Sequence, residues 1–414
     1  MSITTGYELV HPDYYGEHGP PYAIWDRLRA ESPVHRCEFE EVEPFWAITR
    51  QEDIKYISKT PDLFLSAPGI TLIPTDRQIN EDEGIGAMRV VINTDPPVHR
   101  DLRKVASPFL TPRSLEAMQN VIDSSAKGLV DALAREGLEG ETDLAMGIAV
   151  NHPLRVLSKA IGVPEEKEAQ ILELSNRLFA PDDLELGGGQ STAEDFEKLG
   201  QEFVELFLPI IEDRRKNPTN DLASVIANAQ INGEPMGPME TLGYYLIVFS
   251  AGHDTTKNSL AGGFWQLIQN PQEFAKVQQD PSRAVDAVEE MIRWASPVNY
   301  MKRTVARDTE VNGQKVREGD AVVMFYASAN RDENVFEDPY TFSIDRHPNR
   351  HIAFGYGEHF CMGTHFARRS MRAIVEQLAS RVEHWELAAD PEWIRASFVV
   401  GLKHLPVRYR MRAS

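Results

Sequence analysis

The segment from Met239 to Gln269 constrains this chain more than any other. Pro238 stands just before it, where a missing N–H is harmless, and Asn270-Pro271 closes it. Between them the pattern predicts one unbroken helix, roughly 45 Å long at 1.5 Å per residue. Apolar side chains run nearly all the way round it, so no face is left for water. Such a helix must be wrapped by others on every side. A chain of 414 residues, 42% of them hydrophobic, is long enough to do that. Its longest apolar run, Tyr244–Gly252, is about half of what a bilayer span requires. The first residues, Met1-Ser-Ile-Thr-Thr-Gly-Tyr-Glu, have no basic and apolar leader pattern. A soluble, cytoplasmic protein is expected.

Inside that apolar helix lies Ala251-Gly252-His253-Asp254-Thr255-Thr256. A glycine there weakens the helix by about 1 kcal/mol relative to alanine. A buried acid and hydroxyl add a further penalty unless they find partners. Local conflict of this kind marks a functional position. The threonine can also bond back to the i−4 carbonyl and distort the helix.

The rest of the chain reads as a helical body with a smaller sheet region. Helical patterns run from Glu165 to Leu178 and from Phe196 to Ile211. The Gly187-Gly-Gly189 run between them is a connection; it lacks the Lys-Ser/Thr of a phosphate loop. Strand signals fall at Phe45–Thr49, Asp308–Val316 with an Asn312-Gly313 turn, Ala321–Tyr326 and Val407–Met411. The expected architecture is mainly α in a single domain, residues 1–414. The helical body covers mainly 93–297 and 361–384, and the β-rich region 1–92, 298–345 and 385–414. A net charge of −20 argues against nucleic acid as a partner. Two cysteines so far apart, Cys37 and Cys361, imply free thiols. Cys37, in a strand-like run, reads as structural.

Cys361 does not. It sits in Phe354-Gly-Tyr-Gly357-Glu-His359-Phe-Cys361-Met-Gly363-Thr-His365-Phe-Ala367-Arg368, a glycine-rich turn that opens into an apolar, arginine-bearing helix. The N–H groups and dipole of a helix start favour a thiolate, and a thiolate binds metal. A zinc site from Cys361, His365 and His359 lacks a C-x-x-C and a fourth ligand, so His365 reads as structural. The pattern F-x-x-G-x-H-x-C-x-G-x-x-x-A-R resembles the haem-thiolate loop of the cytochrome P450 family. The resemblance implies haem b with Cys361 as the axial ligand of its iron, in a loop bounded by Phe354 and Gly363. Thiolate ligation pushes electron density toward O–O cleavage.

Three further motifs follow the same family in order. Ala251–Thr256 is similar to its oxygen-activation segment. By that likeness Thr255 hydrogen-bonds O2, Asp254 relays protons from solvent, and Gly252 leaves room for O2. Glu290 and Arg293 match an E-x-x-R motif whose third member is Arg346, a structural network behind the haem. Asp95-Pro-Pro-Val-His99-Arg-Asp-Leu-Arg103 resembles the signature that binds haem propionates, and Arg303 and His359 match two further propionate positions. Substrate-facing segments carried over from the family are Ile70–Met88, Leu246–Gly252, Val298–Tyr300 and Ser397–Leu402. Ile70, Leu72, Ile73, Val248, Ala251, Val298, Phe398 and Val399 would form an apolar lining, and Asn299 would offer one hydrogen bond.

The resemblance covers essentially the whole chain and implies the P450 fold, with a long central helix over a buried haem. It implies a monooxygenase that uses O2 to hydroxylate a C–H bond of a small hydrophobic substrate, a monoterpene such as terpineol or an alkyl-aromatic. Electrons would come from NAD(P)H through a reductase and a ferredoxin, and the protein would act as a monomer. Arg100, Arg103 and Lys104, with Arg346, Arg350, Arg368, Arg369 and Arg372, are either scattered surface charge or a basic face for that ferredoxin. The rival readings are an H2O2-driven haem-thiolate peroxygenase and a non-catalytic haem sensor or carrier.

Overall fold

The computed structural model describes residues 3–77, 89–189 and 192–412. The long helix spans Pro238–Gln269, with Pro238 in its first turn and the Asn270 N–H closing it on the Gln266 carbonyl at 2.9 Å. Its apolar circumference is covered by helices Asn151–Ala160, Ala193–Lys216, Ala284–Ala295 and Thr364–Arg381. Two tyrosines reach out of it while staying buried. Tyr244 donates to the Leu102 carbonyl at 2.9 Å and Tyr245 to the Ala223 carbonyl at 2.6 Å. The polar end of each ring is thereby satisfied inside the core. Among the described residues no helix is long and apolar enough to cross a membrane.

A five-stranded sheet lies to one side, in the order Val34–Cys37, Phe45–Ile48, Ala321–Phe325, Tyr300–Val305, Phe64–Leu65. The hairpin Thr309–Val311/Gln314–Val316 turns at Asn312 and Gly313, with φ of 46° and 77°. Those are the left-handed conformations that an Asn-Gly hairpin turn needs. Cys37 is buried in its strand, and burial pushes its thiol up to about 12, so it stays protonated and inert.

Two features depart from the sequence expectation. The N-terminal region called β-rich holds four helices, Tyr7–Val10, Pro12–His18, Tyr22–Glu31 and Gln51–Lys59. Each is short and draws its stability from packing, as at the fully buried Trp25 and Leu28. A strand, Glu139–Asp143, interrupts the helical body. Glu-Gly-Glu-Thr-Asp has no apolar alternation to announce it. It forms because the strand Pro406–Met411 supplies its hydrogen-bonding ladder, with Val382–Leu387 on the other flank. The glycine run follows helix Glu168–Phe179 as a turn, with Gly187 N–H on the Asp183 carbonyl at 2.8 Å.

Candidate active site

The cysteine loop is held by backbone geometry. Gly357 has φ of 72°, and a Cβ there would lie 2.2 Å from the Ser58 carbonyl oxygen. Only glycine lets the loop pack this closely on helix Gln51–Lys59. The Cys361 N–H returns to the Phe354 carbonyl at 2.9 Å, and the Thr364 hydroxyl donates to the Cys361 carbonyl at 2.8 Å. Helix Thr364–Arg381 then begins, with Gly363 as its N-cap, and Arg368 lies over the Phe354 ring at 4.7 Å. Burial raises the Cys361 pKa and outweighs the Gly363 N–H, the Thr364 hydroxyl, Arg103 and Arg368, which pull it down. The helix start and the two arginines together do not offset the effect of burial on this sulfur. Although deeply set, the Cys361 side chain keeps accessible surface, so it opens onto interior space.

Beside the loop, four basic groups converge. Helix Val98–Ala106 carries His99 and Arg103 on one face. The His99 and His359 rings are 4.0 Å apart. Arg103 donates to the Phe360 carbonyl, and Arg303, buried in strand Tyr300–Val305, donates to the Lys302 carbonyl at 2.7 Å. Neither arginine forms an ion pair among the described residues. His99 Nδ1 is buried without a hydrogen-bond partner; the nearest carboxylate, Glu358, is 4.0 Å away. Burial, then Arg303, His99 and Arg103, push His359 down to about 3. Burial and Arg103 also lower His99. Two arginines without a carboxylate partner, set beside two histidines in a half-buried to buried cluster, favour an anion. Asp95, which the sequence reading did not single out, organises it. Its carboxylate accepts the Ser66 and Ala67 N–H groups at 2.8 and 3.0 Å, and the Ser66 hydroxyl meets His359 Nε2 at 3.0 Å.

Glu290 and Arg293 are 0% exposed and paired through two 2.8 Å bonds. Arg346 reaches Glu290 at 3.4 Å as expected. Two further partners come from the segment beside Arg346: the Ser343 N–H and the Asn349 side chain, both at 3.0 Å. A second, half-buried node was also missed. Glu289 accepts from Arg368 at 2.7 Å and meets His351 at 3.2 Å, which ties helix Ala284–Ala295 to the helix after Cys361. Its position next to Glu290 was the available signal.

On the long helix, the Thr255 hydroxyl donates to the Ala251 carbonyl at 2.6 Å, the back-bond that the sequence allowed. Asp254 is not turned toward solvent. Its carboxylate is buried and accepts from Ser175 at 2.6 Å and Lys257 at 2.5 Å, with His253 Nδ1 at 3.3 Å. Burial opposes its ionisation, but Lys257 and His253 outweigh that and hold it well below the usual carboxylate range. Neighbouring helix residues do not face each other, and Asp254 and Thr255 share no hydrogen bond. The open side of Gly252 is turned to Leu157, 3.1 Å from where its Cβ would stand, so this glycine serves helix packing.

The apolar lining is only partly as expected. Val298 and Val399 form a β-bridge, and the Asn299 N–H reaches the Phe398 carbonyl at 2.9 Å. Phe398 packs 5.4 Å from Tyr300 and 6.5 Å from Phe179, an aromatic the sequence reading missed at the end of an amphipathic helix. Leu72 is buried with Tyr300, Ile70 is half-buried, and Val248 and Ala251 are half-buried on the long helix. Ile73 is 42% exposed and belongs to the surface. Asn299 spends its amide N–H groups on the Tyr15 hydroxyl and the Ser397 carbonyl, leaving Oδ1 alone without a partner. Residues 78–88 of the first substrate segment lie outside the described residues. Among the described residues no group of three or more His, Cys, Asp or Glu is arranged to hold a metal ion, and His365 is exposed.

A haem fits this donor set. A cysteine sulfur that opens onto interior space stands beside two arginines that have no carboxylate paired to them among the described residues, and His99 Nδ1 beside them has no hydrogen-bond partner. Comparison with known proteins agrees. The family model for cytochrome P450 matches residues 74–396. The chain is 35% identical to linalool 8-monooxygenase of Pseudomonas putida, over 97% of this chain and 98% of that one. It is 32% identical to cytochrome P450-terp of a Pseudomonas species, covering 97% and 96%. The crystal structure of CYP108D1 from Novosphingobium aromaticivorans superposes with a TM-score of 0.90 at 35% identity, covering 99% and 98%. The chain belongs to the cytochrome P450 family and is an oxidoreductase of its monooxygenase type.

Proposed function

We propose that this enzyme inserts one atom of O2 into a C–H bond of a small hydrophobic molecule, a monoterpene or an alkyl-aromatic, with two electrons delivered by a ferredoxin. The observation that carries this reading is the pairing of Cys361 with an anion-seeking cluster beside its loop. Cys361 would hold haem iron, and His99, Arg103, Arg303 and His359 would hold the propionates. When bound, the haem supplies the redox chemistry, in which O2, two electrons and two protons convert R–H to R–OH and water. The chain's own part is to bind the substrate, exclude water and supply protons. Asp254 would take up and release protons, and the Thr255 hydroxyl would orient them. The aromatic faces of Phe179, Phe398 and Tyr300, with Val248, Val298 and Leu72, suit a compact hydrocarbon. The relatives named linalool 8-monooxygenase and cytochrome P450-terp support the same class.

The test begins with the purified ferrous protein under CO. It should show the absorption band of thiolate ligation, and Cys361→Ser should abolish it. An unchanged spectrum in that variant would sink the assignment. A spectral-shift titration with monoterpenes, alkylbenzenes and steroids then identifies the substrate class. Product formed with NADH, reductase and ferredoxin, and not with H2O2 alone, separates this reading from a peroxygenase.

A further inference from the structure

His253 has no part in the roles assigned so far. Its ring is fully buried and lies parallel to Phe249, 5.6 Å between centroids and 8° between planes. Nδ1 is 3.3 Å from Asp254 Oδ2, and Nε2 is 3.2 Å from the Val150 carbonyl oxygen. Both partners are acceptors. A neutral imidazole has one N–H, so in either tautomer a lone pair would face a buried oxygen. Only the doubly protonated ring donates to both. The face of Phe249 also favours a cation stacked on it.

We infer that His253 is carried as a buried imidazolium and is a positioning residue that keeps one proton in reserve for Asp254. This rests on the reading of Asp254 as the proton donor. The charged groups around the ring are few among the described residues. From its own helix come Asp254 and Lys257, whose ammonium is already bound to Asp254 Oδ1. The side of helix Asn151–Ala160 contributes the Val150 carbonyl, and helix Glu168–Phe179 contributes Ser175, whose hydroxyl shares Asp254 Oδ2. His152, two residues after Val150, is turned to Ser125 and Ser370.

The proton step balances without another reactant. His253 Nδ1 passes its proton to Asp254 Oδ2. The imidazole left behind is neutral and keeps its Nε2–H on Val150. Asp254 becomes a carboxylic acid only transiently, since Lys257 and Ser175 favour its carboxylate, and it returns to carboxylate as it releases the proton. One proton moves, net charge is conserved, and solvent recharges the ring between turnovers. The reserve covers one of the two protons each O2 consumes.

Two measurements test this. The first is independent of turnover: nitrogen NMR of [15N]histidine-labelled holoprotein in its diamagnetic ferrous–CO form at neutral pH. His253→Gln identifies the resonances, and His253→Asn does so if the first variant fails to accumulate. Both ring nitrogens of His253 should carry protons; a single protonated nitrogen overturns the inference. The second is coupling, product formed per NADH consumed, followed against pH. Wild type should lose coupling on the alkaline side. His253→Gln, which keeps hydrogen-bonding capacity without a titrating proton, should be about tenfold less coupled through kcat and flat across that limb. A wild-type profile in His253→Gln overturns the inference while leaving Asp254 intact. Full coupling in Asp254→Asn overturns the reading of Asp254 itself, and the NMR result still decides the state of His253.

Discussion

Thr255 spends its hydroxyl proton on the Ala251 carbonyl, so at rest it presents only lone pairs. To donate elsewhere it must break a helix back-bond, a small cost next to the gain from steering a proton. Thr255→Ala should therefore bind substrate with unchanged affinity but divert most reducing equivalents to peroxide. Coupling should drop about tenfold or more, and Thr255→Ser should restore much of it. Peroxide assay beside product assay checks this. Single residues were legible in the sequence where chemistry fixed their spacing. Cys361, His99, Arg103, Arg303 and His359 come together at one site, as the spacing of their motifs implied. What surrounds Asp254 was not legible beyond Lys257 at i+3. Ser175 arrives from a helix 79 residues earlier, and no local pattern encodes such a meeting. Ile73 shows the converse: an apolar residue on an irregular segment carries no phase, so nothing in the sequence says which way it points.

Helices are joined behind the cysteine loop by two carboxylates in succession, Glu290 buried and Glu289 half-buried. Glu290 is bound by Arg293, Arg346, Asn349 and a backbone N–H. Removing it leaves two cations short of a partner in the interior, at about 3–5 kcal/mol. Glu290→Ala should yield little or no haem-loaded protein, read from the ratio of haem to protein absorbance. Glu289 is the pH-sensitive member. Burial works against its charge, but His351 and Arg368 outweigh it and hold it at about 2. Its folded pKa lies below the unfolded value near ~4.3, so its stabilisation is full above that value and is lost as pH falls toward 2. The loss should reach about 2–3 kcal/mol. Glu289→Gln should flatten the melting temperature across that acid window, and an unchanged slope would refute it. At this scale the long helix and the Asn-Gly hairpin were legible, because each pattern closes on itself. The strand Glu139–Asp143 was not, since its reason for existing is a partner more than 260 residues away.

Across the whole molecule, the basic face proposed for ferredoxin is weaker than its arginine count implies. Arg100, Lys104, Arg368 and Arg372 are each paired with a carboxylate of this chain, and Arg346 is committed to Glu290. Arg369 reaches only uncharged groups, Gln119 and the Pro112 carbonyl, and the exposed Arg113 directly follows Pro112. Arg369 and Arg113, with the exposed Arg350, which makes no ion pair among the described residues, should carry the steering. Arg369→Glu and Arg113→Glu should raise the KM for ferredoxin several-fold at low salt, with kcat nearly unchanged, and the difference should fade near 0.5 M salt as screening shortens to a few ångströms, of order ~5 Å. Steady-state titration with ferredoxin at two ionic strengths decides it.

Pro406–Met411 is the middle strand of its sheet, flanked by Val382–Leu387 and Glu139–Asp143. On the ribosome, Glu139–Asp143 is made long before the strand that must seat it, so this seam stays open until synthesis has passed residue 411. A transcript stopped at codon 405 would give a chain with every residue proposed for the haem site present and two strands unpaired, prone to clump before it could take up a cofactor.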